Sequence, residues 1–521
     1  MTEIPTNHDQ KKTDGFGTRT VHNVLWRFLS GGWRFALTIA TTPFIVHGLG
    51  EEAYGILALA LSFIGYFMIL DFDIGVAVTK YVAEYKVKED WAAIKKAVET
   101  SLFLFVIIGS AVALFFLVSA DFLVAKVIKV SAGKKDVARV ALYLVGINFM
   151  FNMPTWIYGA VLQAYHRFDL LSKLGLSLTT LTVLGTVILV ALGFGLVPVL
   201  WLNIVVTLLT LVTYAFFAKK VCPEIRLRPG FDRSTAKQLF SFSAITFLGK
   251  LLGSVWFRID RLLIAAMVSA AAVTYYQVAY VPILMGLRLG AVFQNVTLPM
   301  ASEFHGRDQG ERLRVLYLRG SKLAFIMALT FGIPLFVFSH PILKLWMGPT
   351  FAEQGTLTLR ILAIWSVEMT LSTMAFSIVL GITRPWLQTT FQIGLTILSI
   401  PVFFLLIPRL GIVGAALGLA VPHVVLFPFY VMKINRILGV QNRIFLATVV
   451  IRPLISAVLV TSLSWLFLYS WVDSAFKLVF GLGACVALLY LVLLLTGALS
   501  TEDRQLLWST IPHPIREVFG R

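Results

Sequence analysis

Charge is what this chain has least of. Asp, Glu, Lys and Arg make up 13 % of its 521 residues, about half the share usual in a soluble globular domain. That scarcity excludes an ordinary water-facing fold. Acids are the scarcer sign, 26 against 44 Lys and Arg, which leaves a net charge of +18. Cysteine is nearly absent: Cys222 falls in a basic loop and Cys485 in an apolar run. Neither a disulfide framework nor a metal site is expected from them. The eight histidines are scattered. The chain has no Walker A phosphate loop, no His-Glu-x-x-His zinc motif and no Gly-x-Ser-x-Gly elbow. Nothing points to an enzyme or an ATPase, a catalytic residue, a cofactor or a metal. The short alternating strands of a membrane barrel do not appear. Residues 1–20 are polar and lack the apolar core and cleavage site of a signal peptide, so they read as a disordered tail.

What is present is hydrophobic sequence: 58 % of the chain, with a mean hydropathy of +0.86. Apolar runs long enough to cross a bilayer as helices recur from Val24 to Leu499. They predict an all-α integral membrane protein of about fourteen spans. The first six are Val24–His47, Tyr54–Thr79, Val98–Ala120, Val140–Gln163, Leu170–Phe194 and Val197–Ala218. After a basic loop come Leu239–Ser269, Val273–Pro299, Leu318–Ser339, Thr356–Leu380, Trp386–Ile407 and Ile412–Met432, then Phe445–Ser470 and Ala475–Leu499. The net charge requires no nucleic acid partner, because loop Lys and Arg set membrane orientation. With both ends of the chain inside, 30 of the 44 basic residues fall in inner segments, eight in outer segments and six within apolar runs. That asymmetry predicts cytoplasmic termini in the cytoplasmic (inner) membrane. One segment breaks the rule: Lys126 to Arg139 is basic yet lies outside.

The chain repeats itself. Tyr54-Gly-Ile-Leu-Ala-Leu opens the second span as Tyr275-Tyr-Gln-Val-Ala-Tyr opens the eighth, and Tyr81-Val-Ala-Glu84-Tyr85 is matched by Met300-Ala-Ser-Glu303-Phe304. Gly159–Gly175 likewise parallels Ile378–Gly394. The offset of about 220 residues, or six helices, makes it a parallel repeat of the kind found in transporters built from two like bundles. The expected organisation is a tail (1–20), a first six-helix bundle (21–219), a basic linker (220–237), a second bundle (238–436), two further helices (437–500) and a tail (501–521).

Six basic residues lie inside apolar runs: Arg34, Lys250, Arg258, Arg261, Arg288 and Arg360. A charge at mid-bilayer depth costs about 2.5–3.5 kcal/mol on insertion scales. The acids at similar depth are Asp71, Asp73, Asp260 and Glu368. The positive bias suggests a cavity for an anion. On the seventh span Lys250, Arg258 and Arg261 share an arc of roughly 80° over about 16 Å of axis. That is a basic ladder, unless Asp260 pairs locally and the arginines snorkel. Arg360 is near a helix end and suits snorkelling. Gln277, Arg288 and Asn295 align on the eighth span; Asn148, Asn152 and Thr155 align on the fourth, and Glu368 with Ser372 on the tenth. Such stripes line a cavity or bond between helices. Asp71, Asp73, Asp260 and Glu368 are candidates for proton or ion coupling, with structural pairing as the alternative. Gly414-Ala-Ala-Leu-Gly418 is a small-xxx-small pattern that packs helices.

Several stretches together resemble a known family. They are Gly48-Leu-Gly-Glu-Glu-Ala-Tyr54-Gly55, Ile69-Leu-Asp71-Phe-Asp73-Ile-Gly75, Phe257-Arg258-Ile-Asp260-Arg261, Leu345-Trp346-Met-Gly348 and Gly411-Ile-Val-Gly414. In order and spacing they resemble the polysaccharide-transporter branch of the MOP flippase superfamily, which is similar to O-antigen (Wzx-type) flippases. Lipid II flippases and MATE drug exporters share its general fold. The resemblance implies two six-helix bundles in a V around a central cavity. It implies a substrate of the undecaprenyl-pyrophosphate-linked oligosaccharide type, an O-antigen or exopolysaccharide repeat unit, turned from the inner to the outer leaflet. On that reading Arg34, Lys250, Arg258, Arg261 and Arg288 hold the head group, Asn148, Asn152, Gln277 and Asn295 line the cavity, and H+ or Na+ is the candidate coupling ion. A polysaccharide polymerase and chain-length proteins are candidate partners. The rival readings are a lipid II-type flippase, a MATE-like multidrug or cation antiporter and a membrane glycosyltransferase. The antiporter reading suits an acidic cavity better than a basic one, and the glycosyltransferase reading needs a long outer loop that is not seen.

Overall fold

The computed structural model of the chain describes residues 31–241 and 259–499. Among them there is helix and no strand, so the protein is all-α. Eleven helices are long and apolar enough to cross a membrane. The three other expected spans are the first, which begins before residue 31, the seventh, mostly outside the described residues, and the eighth, which is broken. Both expected tails, 1–20 and 501–521, lie outside the described residues. The chain divides into two compact units, with the boundary between Thr274 and Tyr275.

The first unit holds α1 (described over residues 31–49), α2 (Glu51–Phe67), α3 (Ile74–Val87), α4 (Trp91–Phe122), α5 (Lys135–Ala164), α6 (Phe168–Ala191) and α7 (Leu196–Val221). It also holds α8 (described over residues 233–241), α9 (Ile259–Met267) and the start of α10 (Ala270–Tyr280). Helix α5 is its centre. Two glycines let α4 close on α5: a Cβ on Gly109 would lie 2.9 Å from the Met150 Cα, and one on Gly146 3.1 Å from the Ala113 Cα. Van der Waals contact at small residues is what holds helices together where lipid removes the hydrophobic drive. Phe63, Phe67, Phe116, Phe149 and Trp156 pack edge to face around the crossing. By contrast only 11 % of the most apolar window of α6 is buried in protein, which leaves that helix for lipid.

One expectation about this unit changes. The single helix expected across Tyr54–Thr79 is two. After α2 a short 3-10 turn, Met68–Asp71, leads to Phe72 and Asp73, both left-handed at φ 47° and 57°. The Asp71 carboxylate accepts from the Asp73 N–H at 2.9 Å, the local turn bond that lets Asp end a helix. Asp71 and Asp73 therefore do not face opposite sides of one helix. The linker after α7 is docked. Gly230 N–H donates to the Glu99 carbonyl (3.1 Å) and Asp232 N–H to the Thr100 hydroxyl (3.2 Å). Asp232 then caps α8, accepting from the Ser234 and Thr235 hydroxyls and the Thr235 N–H. Those donors, the Ser234 hydroxyl first, hold its carboxyl far below the usual range.

The second unit holds the rest of α10, then α11 (Ile283–Gly306), α12 (Gly310–Val337), α13 (Ser339–Met347) and α14 (Pro349–Gly381). It continues with α15 (Trp386–Leu410), α16 (Ile412–Leu438), α17 (Asn442–Tyr469, with two π turns) and α18 (Ala475–Leu495). Helix α14 is the core: 72 % of its most apolar window is buried, against α11, α12, α13 and α16. At 33 residues it is about 50 Å long, more than the roughly 30 Å hydrocarbon layer. The eighth expected span is broken at Val281–Pro282, so Gln277 on α10 and Arg288 on α11 are not on one helical stripe. Pro282 cannot donate to a helical ladder, which accounts for the break. The side chain of Asn295 lies outside what the structure describes. Lys344, between the ninth and tenth expected spans, sits on α13.

Candidate functional site

The basic ladder expected on the seventh span is seen only at its end, because Lys250 and Arg258 lie outside the described residues. Asp260 and Arg261 open α9. Asp260 is fully buried and Arg261 nearly so. The Asp260 carboxylate accepts the Arg261 N–H at 2.8 Å, and its Oδ1 lies 3.4 Å from Arg261 Nη1. This is the local pairing that the sequence left as the alternative to a substrate cation. A buried carboxylate facing a guanidinium keeps both charges out of lipid.

Arg34 on α1 stands differently. Its side chain is exposed and meets no carboxylate among the described residues. The guanidinium lies against α6 at Gly175, where a Cβ would sit 2.9 Å from Nη2. Gly175 therefore makes the room that the guanidinium occupies. Beside it, Trp33 Nε1 donates to Thr180 Oγ1 at 3.0 Å and ties α1 to α6. The result is an accessible cation on α1 that lies against α6.

The expected stripes resolve into paired positions. On α5, Asn148 Oδ1 accepts from Thr207 Oγ1 of α7 at 3.1 Å, while Asn152 is half-buried. On α14, Glu368 accepts from Ser372 Oγ at 2.9 Å, and its Oε2 lies 2.5 Å from Nδ1 of His423 on α16. His423 is buried, its ring edge-on to Phe391 at 5.6 Å. Glu368 stands 220 residues after Asn148 and His423 stands 216 after Thr207. The repeat thus carries one polar contact between equivalent helices in each unit, neutral in the first and ionisable in the second. The sequence reading missed His423. An imidazole inside an apolar span is itself the signal, since ionisable groups at that depth are rare. The scatter of histidines along the chain obscured it.

Glu368 also opens on a cavity of about 710 Å³ inside the second unit, walled by α12, α14, α16 and α17. Phe325, Leu329, Val367, Phe427, Val431 and Leu454 are among its lining, and its walls are almost wholly apolar. Arg360 stands apart, its Nε donating to Ser339 Oγ at 2.9 Å and its guanidinium 4.7 Å above the Trp465 ring. Gln277 is half-buried and Arg288 exposed. Among the described residues no three His, Cys, Asp or Glu side chains converge on a metal position.

With this geometry in place, comparison with known proteins is informative. A family model described as "Polysaccharide biosynthesis protein" matches residues 49–354. A Shigella flexneri protein named "Putative O-antigen transporter" is 20 % identical over 411 residues, 76 % of this chain and 93 % of its own. Among solved structures, that titled lipid II flippase MurJ in an inward closed conformation superimposes with a TM-score of 0.72 at 12 % identity. It covers 93 % of this chain and 99 % of its own. A multidrug resistance MATE family transporter in an inward-facing conformation gives 0.66 at 18 % identity, covering 77 % of this chain and 94 % of its own.

Proposed function

This chain belongs to the polysaccharide biosynthesis protein family, in the polysaccharide-transporter branch of the MOP flippase superfamily, and on that premise we propose that it turns a lipid-linked oligosaccharide across the cytoplasmic membrane. The substrate class is a polyprenyl pyrophosphate carrying an O-antigen or exopolysaccharide repeat unit. The observation that carries this reading is the apolar cavity of the second unit. A free sugar finds no hydrogen-bond partners in such a cavity, whereas an isoprenoid chain leaving the lipid keeps its van der Waals contacts against these walls. Part of the groove is built by α17, which lies outside the two repeats. Arg34 supplies the complementary feature, an accessible guanidinium suited to a phosphate. Lys250, Arg258 and Arg288 complete the proposed cationic set. Asp260 holds Arg261 in place of a substrate phosphate.

The same reading assigns coupling to Glu368. Its carboxylate and His423 lie in contact at the edge of the groove, a mostly buried acid beside a buried base. A proton taken up there changes the charge of the groove wall as the tail enters or leaves. Both chain ends are cytoplasmic in this proposal.

The test is a reconstituted assay. Proteoliposomes loaded with a fluorescent polyprenyl-pyrophosphate oligosaccharide are probed with a membrane-impermeant glycosidase. Protein-dependent access to the inner-leaflet pool is expected. Unchanged access, with proton-driven export of cationic dyes instead, would transfer the chain to the multidrug reading.

A further inference from the structure

The basic segment Lys126 to Arg139 is unexplained by transport through the bundles. Loop lysines and arginines are disfavoured on translocated segments, so a cluster in a loop of that kind calls for a use. The loop is not loose chain. Helix α4 ends in a π turn, Leu123–Val127, closed by Ile128 N–H on the Leu123 carbonyl at 2.8 Å; such turns recur at functional sites because they re-aim side chains. Lys129 then pairs by backbone with both sides of the α9–α10 turn. Its N–H donates to Ala265 and its carbonyl accepts from Ala270, each at 3.0 Å, while its ammonium donates to the Met267 carbonyl at 2.5 Å. Ser131 is clamped by Glu52: its N–H and hydroxyl donate to the two carboxylate oxygens at 2.6 and 2.8 Å.

These contacts border an open cavity of about 570 Å³ lined by Lys126, Lys129, Lys135 and Glu52, with Val124 and Ala266 among its apolar walls. The charge there does not balance. Both oxygens of Glu52 are occupied by Ser131. The nearby acids Asp121 and Asp136 pair with Arg139. Lys126 and Lys135 are exposed and have no carboxylate or other acceptor among the described residues. Two free ammonium groups, a third held close by, and an apolar wall make a site for an anion with an apolar root.

We propose that this cavity is a phosphate site, taking a diphosphate or phosphodiester group through Lys126 and Lys135. Lysines bind phosphate as point charges and tolerate varied geometry, which suits a surface site more than a selective one. The exposed Phe115, Val118 and Phe122 of the adjoining turns of α4 present an apolar face to the surroundings, so the phosphate of an anionic phospholipid is one source. A soluble diphosphate is the other. The site requires neither transport nor the coupling pair.

Lysine acylation footprinting of the intact protein tests it, read by mass spectrometry. In detergent, millimolar inorganic pyrophosphate should slow labelling of Lys126 and Lys135 by about threefold or more at partial saturation. Lys95 and Lys96, far along α4, should be unchanged. Nanodiscs of phosphatidylcholine, with and without phosphatidylglycerol, form the second arm. Protection by phosphatidylglycerol assigns the site to a lipid headgroup; protection by pyrophosphate alone assigns it to a soluble anion. In K126Q/K135Q, Lys129 should lose whatever protection it shows in the unaltered protein. No protection in either arm overturns the proposal, as does equal protection by sodium chloride of matched ionic strength, which would be screening alone.

Discussion

Arg34 is exposed beside Gly175, whereas Arg261 is buried and paired with Asp260. The two arginines should therefore fail differently. Arg34→Ala is expected to cut flipping about ten- to a hundredfold at unchanged membrane level, because a charge-assisted contact contributes about 1.5–3 kcal/mol; Arg34→Lys should keep part of the activity. Gly175→Ala should leave most of the activity, since the exposed guanidinium end can swing away from the new methyl. Full activity of Arg34→Ala would remove it from the site. Asp260→Asn, by contrast, leaves a buried guanidinium without its counter-charge, a loss of about 3–5 kcal/mol. It should lower the thermal midpoint of the purified protein, and D260N/R261Q should restore much of it. A midpoint unchanged by Asp260→Asn would show that the pair is not structural. Cys222 offers a reading of the docked linker. It is fully buried, and burial, ahead of its contact with Glu224, pushes its thiol up. The thiolate is thus scarce at neutral pH and grows as pH rises. In a Cys485→Ser background its maleimide labelling at pH 7 should be on the order of tenfold slower than in detergent-unfolded protein. Equal rates would mean the linker is not docked. Of these residues the sequence identified Arg34, Asp260 and Arg261 by depth alone. It did not separate the exposed cation from the paired one, because pairing depends on a carboxylate's rotamer and not on spacing.

Helices were legible from apolar runs, and their breaks were not. The 3-10 turn at Met68–Asp71 interrupts a run that stays apolar through Ile69 and Leu70, so hydropathy passes over it. What marks it is Asp71 two residues before Asp73, a side-chain-to-backbone bond visible only in three dimensions. Asp71→Asn keeps an acceptor for that N–H and should leave transport intact; Asp71→Ala should cost about 1 kcal/mol of stability. If Asp71→Asn abolishes transport at normal expression, its charge is functional and the capping role is secondary. The small-xxx-small pattern was read correctly. After the Gly411 turn, α16 folds back on α15 so closely that a Cβ on Gly414 would lie 2.3 Å from the Leu406 carbonyl oxygen, and one on Gly418 2.1 Å from the Phe403 ring. A backbone oxygen cannot swing away as a side chain can. Gly414→Ala should therefore reduce folded protein sharply, measured as the monodisperse fraction in detergent. Gly75→Ala, on a helix with open space beside it, is the control expected to fold normally.

For the whole molecule, composition sufficed for the class and the repeat sufficed for the paired helices. Not legible in the sequence is how the α9–α10 turn is tied to the loop after α4 by Lys129, and α10 to α2 by Thr274 Oγ1 on the Glu51 carbonyl. No local pattern announces such long-range bonds. Sidedness rests on charge counting, and the fold gives it a sharp test. Residues 80–96, the linker around Lys220 and the α11–α12 turn near Arg307 are basic and belong to one proposed side. The α4–α5 loop belongs to the other and is basic too. Alkaline phosphatase and fluorescent-protein fusions after Ala120, Lys220 and Arg521 distinguish the alternatives. Phosphatase activity is expected only after Ala120, because the enzyme matures outside; fluorescence is expected after Lys220 and Arg521. An outside signal at Lys220 would invert the model and place the phosphate cavity in the cytoplasm. An outside signal at Arg521 alone would require an odd number of crossings after Lys220. The described helices α12, α14, α15, α16, α17 and α18 are each long and apolar enough to cross once, so the parity would then fall on the residues from α8 to α11. Scanning further fusions across residues 269 and 307 would locate the crossing that differs.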